Sequence, residues 1–585
     1  MILSKRSYCI SLTLMTASAV LLFDSRALFA PYLIALLFAV FSLNRCRKMT
    51  FDKKKFSYRT VVVISVFCAI LLTLANYAIW AHPILPDVRS PFFVRLVKLL
   101  TLAVLFSGIF TCCLNIFRYV CFSSEAFSIT KQSAEKKGRF FLIPFVIISC
   151  IYLVIWLCCY YPGLMSLDSI DQVSQLFSGE YSNHQPFYHT MLLGIFMRIG
   201  LFMFGNMNAA VATYTVIQIL FMAMTFSYVT YNLAVLDMPL WTVIASCAWY
   251  ALMPFHIMFS FTVWKDVYFG AFTTLLILFF IRIMKNIGKE WLNLAAFVFS
   301  SLMMCLIRSN GLFAYVFVFA AVLLLARKKR NLLFSMIAVI VVSFVLKHSV
   351  LAALNVVQPD TVESLSIPLQ QVARVVADDG VMSEEDMRIL SNIIDVSSIK
   401  DTYDPDISDP IKNAIRDLGN QKYLSENMGE FAGLYLRGLV HNPMKYVEAW
   451  VDSTCGYWNS GYNYWIWFWD VESNPYGISR VISSEGVLRA MDEYLWLFYN
   501  NRLLQIFGAI GLFVWITVIA FARCISDNNR TGIIAIMPIA AILLSLLVSS
   551  PVYAEFRYMY ALFCALPILL AVTCHQKENE NDNHM

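Results

Sequence analysis

Long apolar runs broken by short polar clusters dominate this chain. Runs such as 60–80 and 331–352 continue almost without charge for about twenty residues, the length a helix needs to cross roughly 30 Å of hydrocarbon. In lipid a segment must satisfy its own backbone hydrogen bonds, so each run predicts a spanning helix. The pattern predicts spans near 10–23, 27–43, 60–80, 97–119, 140–160, 209–233, 240–258, 266–284, 291–307, 311–326, 331–352, 502–522, 531–549 and 556–573, about fourteen in all. The first run follows Lys5 and Arg6 as a signal peptide would, but no small-residue cleavage site follows it, so it is read as a span.

Composition agrees with this pattern: 59% of the residues are hydrophobic and 14% charged, against roughly a quarter charged in soluble domains. The net charge of +6 matters less than its placement, because Lys and Arg cluster at 45–55, 131–139, 282–289 and 327–330. Each cluster is short and clamped between spans, which argues against nucleic-acid binding and predicts four cytoplasmic connections. That parity holds only if the apolar stretch 188–205, which contains Arg198, lies in the outer interface or re-enters without crossing. Both termini are then cytoplasmic. Of fifteen cysteines, Cys455 alone falls in the large loop, and no C-x-x-C pair offers a zinc or redox site.

The predicted organisation is all-α and polytopic. N-terminal transmembrane hairpins occupy 1–139, a transmembrane core 140–352 with a first outer loop at 161–206, a mostly helical extracytoplasmic domain 353–500, and C-terminal transmembrane helices with a cytoplasmic tail 501–585. Within 353–500 the stretch 383–430 is acidic, 401–410 is a loop with two prolines, and 446–498 is crowded with aromatic residues.

Several charges stand where a hydrophobic chain should not waste them. In the first loop, Asp168 follows Tyr161-Pro162-Gly163-Leu164-Met165-Ser166-Leu167 and precedes Asp171, with His184 and His189 further on. Ser166 or Asp168 could cap a short helix, or Asp168 could act as a general base or metal ligand. Asp266 follows Trp264 and Lys265 at the head of a span, where an acid also suits the helix N-terminus. Arg308 precedes Ser309-Asn310-Gly311, Arg557 follows Glu555, and Arg374 sits in the large loop. Arginine suits bidentate phosphate binding, although Glu555 or snorkelling accounts equally well for Arg557. Trp450, Tyr457, Trp458, Tyr462, Tyr464, Trp465, Trp467 and Trp469 read either as an interfacial belt or as a sugar-stacking platform. The sequence contains no P-loop, dinucleotide, zincin or nucleophile-elbow pattern.

The order of these pieces resembles the GT-C superfamily of membrane glycosyltransferases. The strings around 161–172, 264–266, 308–311, 366–374 and 556–560 look more closely like a bacterial family of unknown function numbered 6020, over roughly 140–573. The resemblance implies a GT-C-like bundle in the cell membrane that moves a sugar from an outer-leaflet polyprenyl-phosphate donor to a cell-envelope glycan, lipid or protein acceptor. It implies Asp168 as the base and Asp266 as support for the acceptor or for a divalent ion (Mg or Mn). Arg308, Arg374 or Arg557 would hold the phosphate, with His184, His189 and Lys265 among the substrate-binding residues. Gln185 stands where many relatives have a second proline. A flippase or transporter of lipid-linked glycans is the alternative, but that function places ionisable residues near the bilayer midplane, and here they gather at one face.

Overall fold

The computed structural model describes residues 137–459, 469–501 and 504–574. The spans expected at 10–23, 27–43, 60–80 and 97–119 lie outside them, as do Tyr462, Tyr464, Trp465 and Trp467. The described residues are mostly helical, with isolated β-bridges as their only extended pairing.

Helix α1 (Arg139–Ile155) runs on into a π-helical turn, Trp156–Tyr160. Then come α2 (Leu167–Ser178), α3 (Phe187–Phe204) and α4 (Met207–Val235). The expected span 240–258 is broken into α5 (Leu240–Leu252) and α6 (Pro254–Ser260), bent by 55°. Pro254 disfavours helical backbone at the residue before it, and Met253 is extended. Next are α7 (Lys265–Met284), α8 (Glu290–Ile307), α9 (Gly311–Leu325) and α10 (Arg330–Phe344), which continues through a second π-helical turn, Val345–Val350.

After an extramembrane unit that includes α11 (Ser366–Ala377), α12 (Met428–His441) and α13 (Pro443–Thr454), the chain closes with α14 (Glu485–Asn500), α15 (Ile510–Ser526), α16 (Arg530–Ser549) and α17 (Tyr560–Cys574). Among the described residues eight helices are long and apolar enough to cross a membrane, or nine if the bent pair is one span. The expected spans 311–326 and 502–522 are the shorter helices α9, of 15 residues, and α15, of 17. The start of α9 is fixed by a tight turn: a Cβ at Gly311 would stand 2.1 Å from the Met304 carbonyl oxygen.

Basic connections gather at one end of the bundle. There Lys137 pairs with Asp237 at 2.9 Å, Lys329 reaches Asn286 at 2.9 Å, and Arg282 holds Asn232 and Asn293, each at 2.9 Å. The opposite end, the site end below, receives the loops around 161–166, 261–266, 308–310 and 550–559.

Helix α3 has length enough to cross, yet both its ends lie at the site end. At its start Tyr188 donates to Leu346 O at 2.8 Å, next to Lys347, whose ammonium donates to the carbonyls of Arg308 and Ser309 at 3.2 and 3.1 Å. Near its finish Gly200 lies against Ala209 and Ala210, where a Cβ would meet the Ala209 carbonyl at 2.8 Å. That first turn of α4 is its site-end turn, since Thr230 near the other end donates to Phe140 O beside the basic connections at 2.7 Å. Phe187–Phe204 is one of the eight helices of spanning length, and this placement sets both of its ends at the site end.

The extramembrane unit has its own apolar core, in which Leu369, Val372, Ile393, Ile415, Leu424 and Leu434 are buried. It stands directly on the bundle: Ser408 N donates to Pro551 O and Tyr553 N to Asp406 O, both at 2.8 Å. Residues 469–484 leave it and return to the first loop.

Candidate functional site

The first loop is held from two sides. On one, Leu164 N donates to Phe261 O and Val263 N to Leu164 O, both at 2.9 Å. On the other, Glu472 N donates to Met165 O at 2.9 Å and Val481 N to Tyr161 O at 2.7 Å. Arg480 fastens that second strand by donating to Cys159 O at 2.7 Å, its guanidinium 4.5 Å from the centroid of the Tyr160 ring. Gly163 is needed beneath the loop: at φ +143 a Cβ would stand 2.5 Å from Thr215 Oγ1, a backbone conformation open chiefly to glycine.

This frame delivers Asp168 to the first turn of α2. Neither expected cap acts as one. Ser166 occupies the N-cap without a side-chain cap bond, and its hydroxyl accepts from Trp264 Nε1 at 2.8 Å. The Asp168 carboxylate instead meets Arg557 at 2.9 Å and Lys265 at 3.9 Å. Burial raises its pKa, but the charges of Lys265 and Arg557, with the Arg557 hydrogen bond, more than offset this and hold it below the ordinary value. Lys265 also donates to Gln185. Arg557 lies 3.7 Å from Glu555, whose carboxyl burial pushes up against the pull of that arginine.

Asp266 and Arg308 form a second pair at 2.8 Å, the aspartate side chain wholly buried. The contact is close but poorly directed: neither Asp266 oxygen makes a hydrogen bond of good geometry. At 2.8 Å the two charges still attract, because charge attraction depends on distance more than on angle. Tyr558 joins the two pairs, its ring 4.7 Å from the Arg308 guanidinium and 5.3 Å from that of Arg557, while Trp264 covers Arg557 at 5.1 Å. Its carbonyl accepts from Arg308 at 3.2 Å.

The structure therefore brings together Asp168, Lys265, Asp266, Arg308 and Arg557. His184 is exposed beside them, near enough for its charge to act on Asp168, Asp360 and Glu363. His189 is fully buried behind them, its Nδ1 on Gln172 at 2.9 Å and its Nε2 on Tyr214 at 2.8 Å. With both ring nitrogens engaged it props α3 against α2 and α4 and offers no atom to a ligand. Arg374 is not brought into the cluster. It sits on α11 against Asp378, Glu448 at 3.5 Å and Asp452 at 2.9 Å, and so fastens α13 within the extramembrane unit. The expected aromatic platform is likewise partly structural: Tyr457 is buried against Val552 O, and Trp450 stacks on Trp458 at 5.7 Å and donates to Leu547 O.

Sequence reading named Glu555 only as a neighbour of Arg557 and missed Lys347 and Arg480. Lys347, a lone cation in an apolar run, was the available signal for the first of these two; nothing local marks Arg480. Among the described residues no three His, Cys, Asp or Glu side chains converge on a metal position. Asp168 and Asp266 are each occupied by a guanidinium, so this donor set does not fit a divalent ion.

Apolar helices of spanning length, with a charged cluster at one end of the bundle, define a polytopic helical membrane protein. The profile of the family of unknown function DUF6020 matches residues 177–585. The chain belongs to that family. The match takes in Lys265, Asp266, Arg308 and Arg557 and begins after Asp168. Comparison with curated proteins and with solved structures returns no match.

Proposed function

We propose that the chain is a GT-C-type membrane glycosyltransferase that moves a sugar from a polyprenyl-phosphate donor to a cell-envelope acceptor at the site end. The basic opposite end supports an outward-facing site and cytoplasmic termini in the cell membrane. The observation that carries the reading is Asp168, a carboxylate held between Arg557 and Lys265 with 34% of its side chain still exposed. It can be reached by a hydroxyl and is flanked by donors that suit a phosphate oxygen.

Asp168 removes the acceptor hydroxyl proton as the oxygen attacks the sugar carbon. The bond from that carbon to the phosphate oxygen breaks, and its electron pair leaves with the lipid phosphate, where Arg557 and Lys265 meet the growing charge. Arg557 serves both anions: a donor phosphate that draws it away removes the charge holding Asp168 acidic, and Asp168 becomes a better base. Lys265, Arg308 and Arg557 face Asp168 and Asp266, and burial pushes the Glu555 carboxyl above its ordinary value. A transporter would need its charged groups along a path through the bundle, whereas the cluster stands at one end.

The test is transfer from a lipid-phosphate sugar by the purified full chain in liposomes. Asp168→Asn keeps shape and should reduce transfer by about a hundredfold or more. Arg557→Lys should chiefly raise the donor KM, since the charge survives and the fork is lost. Unchanged transfer by Asp168→Asn overturns the proposed base.

A further inference from the structure

The extramembrane unit carries an apolar stripe that none of its described residues covers. On α12 and α13, Leu436, Val440, Met444 and Val447 are 50–75% exposed. Their spacing, four residues apart on α12 and three on α13, puts each pair on one helix face. The other face of α13 is pinned inward. Arg374 holds Glu448 and Asp452, and Tyr446 is buried with its hydroxyl on Tyr435 O at 2.9 Å. The stripe is thus fixed outward.

Two observations say what covers it. The unit stands on the bundle without a stalk, through the bonds of 406–408 to 551–553, so its flank lies at the level where the spans end. And α13 runs into an exposed apolar side of α16: Trp450 donates to Leu547 O at 2.8 Å, beside the exposed Leu544 and Val548. The apolar surface of a span therefore continues onto α13 and α12. Basic groups border the stripe, Lys445 on Asp378 and Arg437 on Asp386, and both side chains are of the kind that rest their stems on apolar surface and keep their charge in the headgroup layer. We propose that the α12–α13 hairpin lies in the membrane surface, with this stripe seated among lipid acyl chains, so that the extramembrane unit rides half in the headgroup layer. This holds whatever reaction the site performs.

The experiment places a photoreactive benzophenone amino acid at Val440 or Met444 of the full chain in its native membrane, with Leu544 as the span control and Glu426 as the exposed polar control. On irradiation, positions 440 and 444 should yield phospholipid adducts by mass, as 544 does, and position 426 should yield none. A cross-link from 440 or 444 to a second copy or another protein overturns the proposal in favour of a protein interface. Loss of adducts at 440 and 444 while 544 still reacts overturns it in favour of a solvent-facing stripe. The residues are exposed, so the substitutions leave the core intact.

Discussion

Removing Arg308 should unbalance the most deeply buried charge at the site end. Asp266 has no exposed side-chain surface and Arg308 only 9%. Taking one partner from a buried pair usually costs about 3–5 kcal/mol, because the other charge is left without compensation. Here Lys265 and Arg557 still act on Asp266, so Arg308→Met should cost about 3 kcal/mol, the low end of that range. Replacing the pair together, Asp266→Leu with Arg308→Met, leaves no orphan charge, and similar volumes keep the packing. The double variant should therefore be at least about 2 kcal/mol more stable than the sum of the single losses. The assay is reversible unfolding in mixed micelles across the four-member cycle. Additive costs, or a loss under about 1 kcal/mol for Arg308→Met, would show that the 2.8 Å contact is no energetic pair.

Two further outcomes are expected. Glu555 has its folded pKa raised from 4.5 by burial. Its contribution is thus fully present below that unfolded value and is lost as pH rises through the folded one; Glu555→Gln should gain stability relative to wild type over that rise, and parallel pH profiles would refute the assignment. Impermeant thiol labelling in sealed cells should reach cysteines introduced at 395–400 and miss those at 327–330. Labelling of both would overturn the proposed orientation.

Charges at the margins of apolar runs were legible before any coordinates. Lys265, Asp266, Arg308 and Arg557 stand at predicted span ends and Asp168 in the loop just after one, and a charge there is costly unless partnered. What the sequence does not encode locally is which partner. Arg374 looks as unusual as Arg557, yet its carboxylates come from Asp378, one helical turn on, and from α13. His189 reads like a ligand because its two hydrogen-bond partners lie 17 and 25 residues away. The segment 469–481 pairs with the first loop through single bridges, which have no periodicity to betray them. The break at Pro254 was readable, since the residue before a proline resists helix, but the continuous apolar pattern of 240–258 hid it.

The partner of Asp168 is 389 positions away, which sets an order of events during biogenesis. The ribosome delivers Asp168 to the membrane surface roughly 20 to 80 s before it delivers Arg557, at ordinary elongation rates of about 5–20 residues per second. Asp266 waits far less time for Arg308. Until Arg557 arrives, Lys265 is the one of its two cationic contacts that Asp168 can meet, and the segment carrying Arg480 arrives only shortly before the last span. Through most of its synthesis the nascent chain therefore has only the 261–263 side of the frame to hold its first loop. A truncated product lacking the final helix would insert most of its spans and still leave Asp168 without its guanidinium.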